Sequence, residues 1–275
     1  MGEKILLLTN PENGAPDEDR LLKSFLSQSA DVVAVHPLEC LPFLCGDNLV
    51  LIRNAWPTHL YPKEWNSIEQ TIQRLNLTCF NPLVGKGDQR GKEYLLELWD
   101  KEFPVIPSVR RIEDIHRLPI SDFYWIKPLD GCDGSGSKKV AKGALEDEDL
   151  TDYIIQPFVQ FSEEPSFFFI DNVFSHAITM PNRLLDKDIK EYTPSGSDLA
   201  FAASFVKWNG LPYGVQRVDA IRMASGELLL TEVEDLCPYL YLSDVNKKTQ
   251  SRFLEKIQAS IFRAWRHEPF AVTTQ

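Results

Sequence analysis

Short apolar runs alternate with helically spaced stretches at the start of the chain. Lys4–Thr9, Ala30–Val35 and Asn48–Arg53 read as strands, and Asp17–Gln28 carries Leu21, Leu22, Phe25 and Leu26 at helical spacing. Strands alternating with helices predict a small parallel α/β unit. Pro62–Leu75 reads as another helix, with its proline at the start, where a missing N–H costs little. Cys79–Pro82 leads out of this unit, and no low-complexity linker follows, so the next unit is expected to dock tightly. Gly91–Lys101 is expected as an amphipathic helix with Leu95, Leu96, Leu98 and Trp99.

The pattern then changes. Phe123–Ile126 is a strand of aromatic and β-branched residues, followed directly by Lys127 and Pro128. Asp130–Ser137 holds three glycines and two serines in eight residues, and a strand resumes near Lys139–Ala141. Asp152–Val159 is an apolar strand that Pro157 assigns to a sheet edge. Ser166–Ile170 and Val173–Thr179 predict a hairpin turning at Asp171-Asn172. Asp186–Leu199 is polar and expected as a loop, and Ser204–Leu211 has a weak helical pattern. Gln216–Arg222 and Glu227–Val233 are strands joined across Ala224–Gly226, and Asn246–Arg266 is a closing amphipathic helix with Phe253, Ile257 and Ile261 on one face. There is no internal repeat.

Composition narrows the classes. With 275 residues, 43% hydrophobic and 25% charged, the chain can bury a substantial core and hold two or three compact units. Lys+Arg 29 against Asp+Glu 40 gives a net charge of −11, which argues against bulk binding to nucleic acid or anionic membranes. No apolar run approaches the roughly 18 residues of a membrane span. The five scattered cysteines form no close metal-ligand pairs, and the expected setting is a reducing cytoplasm.

Two stretches carry candidate chemistry. The first is Lys127 before its glycine loop. Glycine adopts φ > 0 without penalty, so Gly131, Gly134, Ser135 and Gly136 can bring backbone N–H groups to phosphate oxygens, or simply form a mobile hairpin loop. It is not a Walker loop, since Ser137 stands where the lysine would be. The second stretch pairs Arg217 and Asp219 on one strand face with Glu232 and Glu234 on the next. Three facing carboxylates repel unless neutralised, which raises at least one pKa; a hard divalent cation would answer that, and a solvated outer face is the alternative. Lys92, expected in a helix's first turn where the dipole disfavours it, either meets a bound anion or is an ordinary surface lysine. Arg53, at a strand's carboxyl end, either faces a ligand or pairs with an acidic neighbour.

A lysine before a Gly-rich flap, an apolar hinge strand, acidic residues after it, then R-x-D and E-x-E in a hairpin, resembles the ATP-grasp superfamily over Lys92–Leu242. DNLVLIRNAWP, NPLVGKGDQRGKEYLLELWDKEFPVIPS and NVFSHAI are similar to the cycloserine-biosynthetic ligase subgroup. The resemblance implies an α/β ATP-grasp fold: an N-terminal parallel pre-grasp domain (1–82), a lid subdomain (83–160) and a C-terminal, mostly antiparallel subdomain (161–275). It implies ATP and two Mg²⁺ as cofactors. Lys92 and Lys127 would hold phosphates, with the flap glycines and Ser135. Gln156 through Phe158 and Val159 would form the adenine hinge, and Glu163 or Glu164 would take the ribose. Asp219, Glu232 and Glu234 would bind metal, Arg217 would stabilise the transferring phosphoryl with Lys127, and His176 and Lys190 would face acyl phosphate or substrate.

The chain departs from that subgroup at Met180, where a lysine is usual, at Lys190, where arginine is, and at Cys237 and Tyr239, where an acid and a serine are. The last two lie beside the metal pair, so the cycloserine-type substrate is not carried over. What remains is an ATP- and Mg²⁺-dependent ligase joining a small-molecule acid to an amine or other nucleophile. A phosphotransferase on the same fold and a non-catalytic ATP-binding module are its rivals.

Overall fold

The computed structural model describes residues 4–9, 16–55, 58–130, 134–181 and 188–270. Strands β1 (Lys4–Leu8), β2 (Asp31–Val35), β3 (Leu49–Ile52) and β4 (Cys79–Phe80) form a parallel sheet in the order β2-β1-β3-β4. Both faces are covered, which is why its strands read as unbroken apolar runs. Ile5, Leu7, Leu49 and Leu51 meet Leu22 and Leu26 of helix α1 (Pro16–Leu26). The same cluster takes Phe253, Ile257 and Ile261 from the distant helix α5 (Lys247–Trp265). Leu6, Leu8, Val50 and Ile52 meet Ile68 and Ile72 of α2 (Pro62–Arg74) on the other face. Burying each such side chain contributes about 1.5–3 kcal/mol.

The middle sheet has the order β6-β5-β7, with β5 (Phe123–Pro128), β6 (Lys138–Ala141) and β7 (Tyr153–Pro157) antiparallel. Pro157 lies on an edge strand, as its missing donor requires. Tyr124, Ile126, Val140 and Ile155 form this unit's own core. Trp125 and Lys127 alternate with them and share the other face with Lys139 and Gln156, the register partners of Trp125.

The third sheet contains β8 (Glu164–Ile170), β9 (Val173–Met180), β10 (Lys190–Tyr192), β11 (Val215–Arg222) and β12 (Leu228–Glu234), in the antiparallel order β10-β9-β8-β11-β12. Asp171 and Asn172 both take positive φ, 50° and 65°, and make the tight turn between β8 and β9. The rear face buries Phe167, Ala177, Val218 and Val233 against Leu95 and Leu98 of α3 (Tyr94–Asp100) and Ala202, Phe205 and Val206 of α4 (Gly196–Asn209).

Two expected elements differ. The polar stretch Asp186–Leu199 reads as a loop in sequence, yet its described part contains β10 and the start of α4. Its polar residues are helix-capping residues: Ser195 accepts from the Asp198 backbone, and Asp198 reciprocates to the Ser195 N–H. The weak helical pattern at Ser204–Leu211 is the second half of that helix, which ends at Gly210 in the left-handed region. Gly91–Lys101 shortens to α3, so Lys92 precedes the helix, and its N–H goes to the Leu129 carbonyl at 2.9 Å.

Candidate active site

The front face of the third sheet is set by strand register. His176, Phe168, Arg217 and Glu234 form one row across β9, β8, β11 and β12; Ile178, Ser166, Asp219 and Glu232 form the next. A bulge makes this possible. Asp219 pairs with Glu232, but Ala220 pairs with Leu230, so Thr231 is the extra residue on β12. Leu228 and Leu230 therefore enter the rear core, while Glu232 and Glu234 turn to the front. Without the bulge the two leucines and two glutamates would share one face.

Cations occupy the gaps between the carboxylates. Arg217 Nε donates to Asp219 Oδ1 at 2.9 Å, Nη2 to Asp219 Oδ2 at 2.9 Å and also to Glu234, and Nη1 to the Tyr239 carbonyl at 3.0 Å. Lys92 Nζ meets Glu232 Oε1. Burial pulls Lys92 down, but the Glu232 carboxylate outweighs it and holds the ammonium above its ordinary pKa. Burial pushes Glu232 up, yet Lys92, then Lys127 and Arg217, hold it below the usual carboxylate range. The expected upward shift from mutual repulsion is thus reversed at Glu232, because a lysine supplied by the segment before α3 neutralises it. Among the described residues no group of three or more His, Cys, Asp or Glu side chains is arranged to hold a metal ion.

Lys127 is half-buried on the face of the middle sheet opposite its core, and its positive charge helps hold Glu232 low. The flap turns at Gly134 and Gly136, whose φ values are 71° and 72°, and Ser135 between them is exposed. A Cβ on Gly136 would come within 2.9 Å of Pro128 Cγ. Gly131 lies outside the described residues.

The residues expected to form the adenine hinge are held by the protein itself. Gln156 is buried, with Nε2 donating to Ser108 Oγ at 2.8 Å, and the Phe158 N–H donates to the Phe123 carbonyl at 2.9 Å. Val159 is half-buried. Phe123, Trp125 and Phe158 make an aromatic wall, with Lys139 Nζ 3.5 Å from the Phe158 ring centre. Register separates Glu163 from Glu164, the two residues expected to take the ribose. Glu164 pairs with Met180 and lies in the front-face series with Ser166. Glu163 binds Arg222 at 2.5 Å and accepts from Thr179 Oγ1 at 2.9 Å, in a rear network with Asp198 and Tyr192.

The three expected substrate residues do not stand together on an open face. Arg53 is buried, with Nη2 2.6 Å from Glu18, Nε 3.3 Å from Asp19 and Nη2 donating to the Pro238 carbonyl at 2.8 Å. Of the two readings of Arg53, the acidic pair is the one realised. His176 is buried and stacked on Phe168 at 4.3 Å, and burial pushes its pKa down to about 4. Lys190 pairs with Thr179, a rear-row position, and binds Asp188 at 2.6 Å; Glu191, its neighbour, is the β10 residue in the front row beside Ile178. A one-residue register difference thus turns Lys190 away from the site.

Sequence reasoning missed Asp88 and Asp235. Asp88 accepts the backbone N–H groups of Asp235 and Leu236 at 2.7 and 3.0 Å, and Asp235 accepts those of Gly87 and Gln89 at 2.9 and 3.0 Å. Gly87 was the available signal: a Cβ there would stand 2.5 Å from the Val233 carbonyl. An open groove lined by Arg110, Glu113, Leu145 and Thr151 lies beside the middle sheet's core face, away from this site.

No protein-family model and no curated protein matches the sequence. Solved structures do match. The crystal structure of D-cycloserine synthetase DcsG is 19% identical with a TM-score of 0.77, covering 94% of this chain and 100% of that one. The ATP-grasp ligase PsnB, complexed with a precursor variant, Mg and ADP, is 12% identical with a TM-score of 0.64, covering 95% and 98%. D-alanine–D-alanine ligase from Bacillus anthracis, complexed with ATP, is 13% identical with a TM-score of 0.63, covering 97% and 99%.

The chain has the ATP-grasp fold. Among the described residues no helix is long and apolar enough to cross a membrane.

Proposed function

We propose that this chain is an ATP- and Mg²⁺-dependent ligase that activates a carboxylate as an acyl phosphate. A carboxylate oxygen attacks the γ-phosphorus of ATP, the bond to the β-phosphate oxygen breaks, and ADP leaves. An amine, or another nucleophile, then attacks the acyl carbon; the bond to phosphate breaks, and the nitrogen loses its proton. The carrying observation is the front face on which Arg217 is hydrogen-bonded to both Asp219 and Glu234, with Lys92 on the neighbouring Glu232. Two solved neighbours named as ligases with ATP, or with Mg and ADP, support the nucleotide and the metal.

The donor set suits Mg²⁺ in its chemistry. Asp219, Glu232 and Glu234 offer hard carboxylate oxygens in adjacent register positions. With Lys92 and Lys127 counted, the site sets three cations against three carboxylates, and a metal would take the place that Lys92 holds on Glu232. These three carboxylates would hold the metal, which would supply neutralisation of phosphate oxygens. Arg217 and Lys127 stabilise charge developing on the transferring group. Lys92, released from Glu232, takes up phosphate. Glu164, on the front face, is the ribose partner we favour over Glu163. The lid keeps water from the acyl phosphate. The acid is a small molecule or a peptide; one solved structure of PsnB is a complex with a precursor peptide.

The test is a screen for ADP and phosphate release with Mg·ATP over acids, peptides and amines. Release that needs both an acid and a nucleophile supports ligation. Release with an acid alone that yields a stable phosphorylated product would overturn it in favour of a phosphotransferase.

A further inference from the structure

The backbone of Pro238–Leu240 is held at four points by four buried side chains. Arg53 Nη2 donates to the Pro238 carbonyl at 2.8 Å, and Arg217 Nη1 donates to the Tyr239 carbonyl at 3.0 Å. Both Glu18 carboxylate oxygens accept the Leu240 N–H at 2.9 Å, and His176 Nε2 lies 3.4 Å from the Leu240 carbonyl. Arg53, Glu18 and Arg217 are all nearly inaccessible, with side-chain exposures of 4%, 1% and 5%. The clamp begins in the N-terminal sheet. Thr9 Oγ1 donates to Asp19 at 2.6 Å, Asp19 takes Arg53 Nε at 3.3 Å, and Glu18 takes Arg53 Nη2 at 2.6 Å.

We infer that Arg53 and Glu18 are positioning residues for Arg217, acting through the Pro238–Leu240 backbone. The inference rests on the ligase reading for its catalytic meaning, and it reassigns Arg53 from substrate contact to support. A guanidinium has a planar fork of donors, so fixing one acceptor, Tyr239 O, together with Asp219 fixes its whole plane. Tyr239 O has no rigid element of its own: it lies past the end of β12, in a loop. Its two flanking residues are pinned by the N-terminal unit instead. Arg217 thus takes its orientation partly from a sheet on which it does not lie. Displacing a reacting group by about 1 Å costs on the order of a hundredfold in rate.

The test uses the full chain and reads the Arg217 guanidinium directly, through its ¹H–¹⁵N Nε resonance, assigned by its loss in Arg217→Lys. Arg222, bound on the rear face to Glu163, is the internal reference. Arg53→Met and the milder Arg53→Lys should both shift or broaden the Arg217 signal and leave that of Arg222 in place. Glu18→Gln keeps an acceptor for the Leu240 N–H and should move it less. If Arg53→Met does not fold, Arg53→Lys decides the matter. An Arg217 resonance unchanged in a folded Arg53 variant overturns the inference. A second arm measures ADP release from Mg·ATP: it should fall about tenfold to a hundredfold in Arg53→Lys while Mg·ATP affinity is kept. A drop in affinity with an unchanged release rate at saturation would also overturn it. A wild-type chain that releases no ADP with any acid and nucleophile defeats the ligase reading, while the resonance still judges the coupling.

Discussion

Asp88 and Asp235 each accept two backbone N–H groups from the other's segment, so the loop before α3 and the end of β12 are joined by a reciprocal pair of buried carboxyls. Burial, with the Asp235 carboxylate beside it, pushes Asp88 well above the usual carboxylate range. A neutral amide should therefore replace it cheaply. Asp88→Asn should cost under about 1 kcal/mol, while Asp88→Ala, which strands two buried donors, should cost about 2–5 kcal/mol. Urea unfolding of both variants at neutral pH measures the difference; equal losses would show that the carboxyl's charge, not its acceptor role, holds the junction.

Lys92 and Glu232 form a testable pair. Repulsion among three facing carboxylates predicts that removing one stabilises the nucleotide-free protein. The pairing reverses that expectation, because Glu232→Gln leaves a buried ammonium without its main counter-charge. Glu232→Gln should lose about 1–3 kcal/mol, and adding Lys92→Met should recover most of it. A double-mutant cycle by denaturant unfolding checks this; additive losses would remove the coupling.

Lys127→Met should leave the fold intact and weaken Mg·ATP binding by about 1.5–3 kcal/mol, the worth of a hydrogen bond to a charged group. The same change at the exposed Lys247 should do nothing measurable. Titration calorimetry distinguishes the two. Equal affinities in wild type and Lys127→Met would take Lys127 out of the site.

His176 predicts a pH dependence. Its pKa falls from an ordinary 6.5 to about 4 because burial disfavours the imidazolium. The folded state then binds fewer protons than the unfolded state between those values, so stability rises with pH across that window. The contribution is fully present above about 6.5 and is lost as pH falls through about 4. It amounts to about 3 kcal/mol at full effect. His176→Phe, stacked in the same place on Phe168, should lose less stability than wild type between pH 7.5 and pH 4.5, the measurement being unfolding midpoints at about those two values. Parallel curves for the two proteins would contradict the shift.

Alternation along β11 and β12 made Arg217, Asp219, Glu232 and Glu234 legible as one group, and apolar runs announced the parallel sheet. What could not be read was register. LLLTEVE alternates equally well with or without an extra residue, so the bulge at Thr231, which separates the leucines from the glutamates, left no trace in the sequence. The same ambiguity hid which of Glu163 and Glu164 faces forward, and put Lys190 where Glu191 stands. Arg53, Asp88 and Asp235 bind partners far along the chain, and no local pattern encodes a contact between residues 53 and 238. The helix at Gly196 was obscured because its capping residues are the same types that mark loops.

The packing of α5 on the first sheet bears on the order in which the protein can be made. Ile5 and Phe253 share one core, yet the ribosome delivers the second long after the first. Domains ordinarily fold as they emerge, from the amino end. Here the parallel sheet must wait with one flank bare until α5 arrives, and Leu240, which packs in the same core, waits with it. Completion of the first sheet therefore falls at a late moment of synthesis, and a ribosome-bound chain halted before residue 247 should leave that flank open.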